Sequence, residues 1–216
     1  MTTVPLSQRL RTETKEAHTT AERSGIMRDL LRGTIAIPAY VALQQNLAAL
    51  YDAMESEIDR NDTHPALRNV NWNAVRRLAA LQSDIKLLTA SDSSSETSAH
   101  HDSLVPATRQ YVAHLHDLGT RAPELLFAHA YLRYLGDMYG GQIIKRILLE
   151  TVLPPNSRAV AFYEFDQIPD LHAFMVPFRG SLDSAALSED TANQMVSEAQ
   201  LGYALHARMF EELAAP

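Results

Sequence analysis

The chain has 216 residues, 46% of them hydrophobic, and 19 Lys+Arg against 26 Asp+Glu give a formal net charge of −7. That length suits one domain, 1–216, with ample material for a core, and the charge argues against a nucleic-acid surface. There is no cysteine, which excludes disulfides, thiolate metal sites and cysteine nucleophiles.

The N-terminus "MTTVPLSQRL" lacks the apolar core of a signal peptide, and no run approaches the ~20 apolar residues of a membrane span. The expectation is a soluble, cytoplasmic protein without a membrane anchor. A helical period runs from Leu6 to Ser24, with Gly25 read as a stop. "IMRDLLRG" predicts a short helix closed by Gly33. Pro38 opens a long helix whose apolar positions Val41, Leu47, Leu50, Tyr51, Met54 and Ile58 share a face. "WNAVRRLAALQSDIKLL" reads as one further helix. The serine-rich segment 91–103 reads as a mobile loop. Helices follow over "LVPATRQYVAHLHDLG" and "APELLFAHAYLRYLGDMYGGQIIKRILLETV", and "LPPN" breaks the chain. "RAVAFYEF" fits either a short helix or an extended piece. "PDLHAFMVPFRGSL" and "SEDTANQMVSEAQLGYALHARMFEELA" close the chain as helices, the second with a cap and an acidic first turn. The sum is an all-α fold of about eight helices.

Two stretches stand out. Three of the eight glycines, Gly136, Gly140 and Gly141, fall within six residues of an otherwise helical run. Glycine inside a helix costs roughly 1 kcal/mol relative to alanine. Gly136 and Gly140 lie one turn apart on one face, beside Asp137. Such a face suits either tight helix–helix packing or contact with a large flat ligand. In "KEAHTTAE", His18 and Glu22 stand at i and i+4, so the carboxylate can hold one ring nitrogen and leave the other for a metal. Arg11 and Lys15 lie on roughly the same side and suit an anion. The plain alternative is a surface ion pair worth a few tenths of a kcal/mol. No histidine has a glutamate three residues before it, which excludes the bundle di-iron pattern. His100, His101, His114 and His116 read as solvated, without ligand spacing.

Together, "TKEAHTTAE" and "LLFAHAYLRYLGDMYGGQIIKR" resemble the heme oxygenases, most closely the soluble bacterial members. The likeness extends to "LYDAMESEIDRN", "AFYEF" and "MFEEL". It implies that heme b, both substrate and cofactor, is sandwiched between an N-terminal proximal helix and the glycine-kinked distal helix. His18 then matches the proximal iron ligand and Glu22 the carboxylate behind it. Gly136 and Gly140 match the glycines that let backbone approach the porphyrin. Asp137 matches the distal aspartate that orders water near bound oxygen, with Tyr51 and Arg133 in its polar network. Arg11, Lys15 and Arg179 match positions that meet the propionates, and Tyr131, Gly141 and His206 are placed with the heme-binding positions. The resemblance implies O2 as co-substrate, with biliverdin, carbon monoxide and ferrous iron as products. It also implies an external electron donor, a ferredoxin or flavoprotein reductase, because no flavin or nicotinamide signature is present. A downstream user of biliverdin and a monomeric state complete the expectation. Three departures bear on rate and regiochemistry. Tyr139 stands where serine is usual, Met175 where a lysine often meets a propionate, and His206 where asparagine is common. The competing readings are a heme carrier or sensor on the same fold, which would not need Asp137 and the pocket glycines, and a thiaminase-like hydrolase, which would need a cysteine.

Overall fold

The computed structural model describes residues 4–90 and 104–215. The serine-rich segment 91–103 lies outside them. The described chain is all helical, without a strand, as the patterning requires.

Helices α1 (Leu6–Glu13) and α2 (Lys15–Glu22) occupy the N-terminal period, interrupted at Thr14. The Thr14 hydroxyl bonds back to the Leu10 carbonyl at 2.5 Å, so the backbone bends without losing that acceptor. Gly25 does not stop a helix. It opens α3 (Gly25–Arg32) at φ +42°, and a Cβ there would lie 1.9 Å from the Phe210 carbonyl oxygen. Glycine is needed for both conformation and contact. Gly33 closes α3 in the left-handed region, as expected.

The long α4 (Ile37–Arg60) buries Leu43, Leu47, Leu50, Tyr51, Met54 and Ile58 along its inner face. The stretch read as one helix after it is two: α5 (Trp72–Val75) and α6 (Leu78–Thr89). Arg77 breaks it. Its backbone N–H donates to Glu55 Oε1 at 2.7 Å, and its guanidinium donates to the Phe162 carbonyl at 3.3 Å while lying 4.0 Å above the Phe165 ring. A buried guanidinium with its donors satisfied outweighs one turn of local helix preference.

Helix α7 (Pro106–Arg121) packs on α4, and a single 3₁₀ turn at Pro123–Leu125 leads into α8 (Leu126–Ile147), the glycine helix. The ambiguous "AFYEF" stretch contains a 3₁₀ turn at Ala161–Tyr163. Asp84 on α6 holds it by accepting the Ala161 and Phe162 N–H groups, each at 2.9 Å. Asp170 caps α9 (Leu171–Asp183), and Ser188 caps α10 (Glu189–Ala214) through the Thr191 N–H at 3.1 Å.

Helix α10 is the spine. It packs on α1, α2 and α3 on one side and on α7 and α8 on the other. Gly202 permits the second contact, since a Cβ would lie 2.6 Å from Leu132 Cδ2 and 3.1 Å from His129 Nδ1. Its neighbour Tyr203 meets the His18 ring edge-on, centroids 5.4 Å apart.

Candidate functional site: an open glycine face and a buried carboxylate

From Leu126 to Met138 every residue of α8 is buried except the half-buried Arg133 and the exposed Gly136, and Gly140 beyond them is half-buried. A Cβ on either would meet nothing within 4 Å. Close helix packing therefore does not account for these two residues. Gly136→Ala and Gly140→Ala should each stabilise the ligand-free protein by up to about 1 kcal/mol, because helix propensity rises and nothing clashes. Urea unfolding checks this, and a loss of stability would contradict the open face. Gly141 is different. It is buried, and its Cβ would sit 3.0 Å from the Tyr163 ring, so it serves packing against the 161–163 turn and not the open face.

Inward of this face, Asp137 is buried between two partners. Tyr51 donates its hydroxyl to Asp137 Oδ2. Arg133, one turn earlier on α8, donates Nη2 to Asp137 Oδ1 at 2.8 Å and Nε to the Tyr51 oxygen at 3.1 Å. Burial raises the Asp137 carboxyl above its usual range, opposed by Arg133 and by the Tyr51 hydrogen bond. Burial likewise drives the Tyr51 phenol well up. The Arg133 guanidinium loses solvation but stays cationic, its proton held by Asp137 and Tyr51. The result is a buried carboxyl group fixed in orientation by two donors, with burial raising its proton affinity.

His206 extends this network. It is 2% exposed, and its Nδ1–H donates to the Gly202 carbonyl at 2.8 Å. Nε2 is therefore a buried acceptor, and it has no hydrogen-bond partner among the described residues. It borders a small cavity shared with Tyr51, Tyr111 and Arg133. Burial drives the His206 imidazole well below its ordinary 6.5, with Arg133 acting in the same direction and the Gly202 bond against it. The unfolded chain thus takes up a proton below about pH 6.5 that the folded chain refuses, and stability falls with pH there. The stability difference between wild type and His206→Asn should stay flat above about pH 7.5. Well below pH 6.5 it should move against wild type by up to about 1.4 kcal/mol per pH unit. Chemical unfolding from pH 5 to 8 measures it, and a pH-independent difference would sink the assignment.

The N-terminal candidates sit on α1 and α2. The His18 side chain is 45% exposed, with Nδ1 3.6 Å from Glu22 Oε2. That leaves Nε2 available, as a metal-ligating imidazole with a carboxylate behind it requires. Arg11 and Lys15 are exposed. Arg179 on α9 lies 5.6 Å from the Tyr139 ring centre and donates to its hydroxyl at 3.4 Å. Tyr131 donates to the Ser7 carbonyl at 3.1 Å, tying α8 to α1. Burial raises the Tyr131 phenol, and Arg179 and Arg11 both pull it back, so these two cations converge on it. Tyr139 is exposed at 47% and engaged with Arg179. Met175 is 2% exposed within the core and offers nothing to an anion at the surface.

One expectation about a histidine needs correction. His114, read as solvated, is largely buried and bonded to Glu198. His129, Glu198 and Tyr111 form a polar cluster with it that no local spacing revealed, since the partners are up to 84 residues apart.

A half-exposed imidazole backed by a carboxylate, an α8 face with open space before two glycines, and cations converging near Tyr131 fit a flat, dianionic iron porphyrin. The buried Asp137 network and the orphaned His206 Nε2 fit a polar pocket beside it.

Similarity to known proteins agrees. Residues 4–212 match the heme oxygenase family. Heme oxygenase 1 of Nostoc sp. is 35% identical over 208 residues, covering 96% of this chain and 85% of that protein. The crystal structure of heme oxygenase-1 from the cyanobacterium Synechocystis sp. in complex with heme has a TM-score of 0.88 at 34% identity, covering 97% of this chain and 92% of that one. The heme oxygenase structure from Leptospira interrogans reaches 0.90 at 29% identity, covering 97% and 100%. With the motifs, the all-helical architecture and both similarities in agreement along nearly its whole length, this chain belongs to the heme oxygenases, the oxidoreductases that break down heme.

Proposed function

We propose that this chain, acting as a single-domain, cytoplasmic monomer, cleaves heme to biliverdin, carbon monoxide and ferrous iron, using O2 and electrons from a ferredoxin or flavoprotein reductase. The observation that carries the reading is the pairing of an open glycine face on α8 with a buried, oriented carboxyl at Asp137 one residue away. A carrier needs a face but not a tuned acid.

Heme, when bound, supplies the iron at which oxygen is activated and the ring that is opened. His18 Nε2 is the proposed iron ligand, and Glu22, 3.6 Å from Nδ1, stands where a small side-chain shift lets it accept Nδ1–H and so fix the tautomer. Arg11, Lys15 and Arg179 bind the propionates as charge-assisted partners, with Tyr131 between α8 and α1 bordering that edge. Arg179 donates to the Tyr139 hydroxyl, so a propionate bound by Arg179 would compete with that phenol. Gly136 and Gly140 admit the porphyrin against backbone, and a methyl at either position should weaken heme binding while stabilising the free protein. Asp137 orders water on the oxygen side and passes protons through it, while Arg133 and Tyr51 keep the carboxylate aimed. His206 Nε2 accepts a hydrogen bond from that water. Biliverdin then leaves for a downstream user.

The test is one equivalent of hemin in air with ascorbate or a ferredoxin–reductase pair, followed by visible spectra. Loss of the Soret band, growth of a biliverdin band and trapped carbon monoxide are expected. A Soret band that only cycles between oxidation states with every donor would replace this reading with a heme carrier.

A further inference from the structure

We propose that His114, His129 and Glu198 form a binding site for a divalent transition ion of the zinc type, separate from the glycine face and built across three helices. His114 stands on α7, His129 on α8 and Glu198 on α10. One ligand-capable atom from each lies within 4.8 Å of the other two. Glu198 Oε1 is 2.5 Å from His114 Nε2 and 2.9 Å from His129 Nε2. Two imidazoles and a carboxylate are a recurrent donor set for zinc, with remaining positions left to water.

The surroundings suit a metal. The His129 side chain is wholly buried, His114 is 19% exposed and Glu198 10%, so an ion enters past His114 and meets a fixed inner ligand. His129 Nδ1 already has a partner, the Tyr111 oxygen at 2.7 Å, in the place where a ligating histidine is normally held from behind. Burial lowers the His129 imidazole's proton affinity, which keeps it neutral. Burial alone would raise the Glu198 carboxyl, but hydrogen bonds from both imidazoles hold it below its usual range. The inner histidine and the carboxylate are therefore both biased toward the forms that bind a metal.

In the metal-free chain both imidazoles donate Nε2–H to Glu198. On binding, each moves its proton to Nδ1 and turns a bare Nε2 to the ion, with no net proton change. The moved proton of His129 meets Tyr111, and that of His114 faces the partly open side. Ligand bonds of ~2.0–2.1 Å at tetrahedral angles set donors about 3.3 Å apart, so the two short contacts open by less than about 1 Å. Side-chain rotation supplies that.

The experiment uses heme-free, tag-free full-length protein titrated with Zn2+ by calorimetry, with Co2+ as a visible probe of the donor set. One equivalent of Zn2+ per chain is expected, with a rise in Tm and cobalt bands of a four- or five-coordinate N/O site. His114→Gln and Glu198→Gln should each weaken it at least tenfold. His18→Ala and His116→Gln should retain it. His114 is at the entrance, so its variant carries the test should Glu198→Gln fail to fold. No stoichiometric binding, binding that survives His114→Gln, or binding lost in His18→Ala would overturn the site.

Discussion

His18→Ala abolishes the histidine-ligated heme spectrum and weakens heme binding by at least about 10–100-fold, since even the outer partner of a metal-ligating histidine is commonly worth that much. The side chain is nearly half exposed and makes one edge contact with Tyr203, so the fold has little to lose. Far-ultraviolet circular dichroism and Tm should stay near wild type, and added imidazole should restore the ligated spectrum. Glu22→Gln should give a milder version with ligation kept. A wild-type heme spectrum in His18→Ala would mean that another histidine holds the iron. His172 and His206 would then be next to examine, one exposed and the other buried.

Asp137→Ala acts on a different step. Heme should bind with the His18-ligated spectrum intact, while biliverdin formation falls by about 10²–10⁴-fold, the usual worth of a positioned acid. Asp137→Asn separates its two roles in part, since the amide oxygen still accepts from Arg133 while the NH2 turned toward Tyr51 cannot accept its hydroxyl, and an amide cannot exchange a proton in the same range. If orientation alone mattered, the asparagine variant would keep most of its rate. The alanine variant also leaves the buried Arg133 without its anion, so some stability should go with it. A single-turnover assay at saturating heme distinguishes the two, because stability loss lowers the active fraction and acid loss lowers the rate of every molecule. Normal biliverdin yield from Asp137→Ala would end the proton-transfer role.

What could be seen before the structure followed the range of the forces involved. Helix periods, Pro38 at an N-terminus, the Gly33 closure and the Ser188 cap are settled within a few residues, and all were legible. Arg77 was not, because a carboxylate 22 residues away on α4 breaks that helix by capturing its N–H. Gly25 looked like a stop for the same reason, its true constraint being a backbone oxygen on α10. In the site, His18 with Glu22 was visible because the pair is i, i+4, whereas Arg133, although one turn from Asp137, was placed only by family resemblance. Tyr51 reaches Asp137 across 86 residues and was placed only by family resemblance. The His114 cluster had neither aid, and a lone histidine on a polar helix face reads as solvated until the opposing helix is known.

The spine role of α10 bears on how the chain comes off the ribosome. Helices α1 and α2 emerge well before α10, yet the former pack on the latter, and His18 rests against Tyr203 some 185 residues later in the chain. Until α10 is made the N-terminal helices lack that wall, and pairs of 8-residue helices are marginal alone. The two sides therefore close only after α10 has emerged, and a nascent chain still lacking it cannot hold iron porphyrin in a half-built cleft. A protein that degrades so reactive a pigment acquires its grip only when the full set of donors is in place.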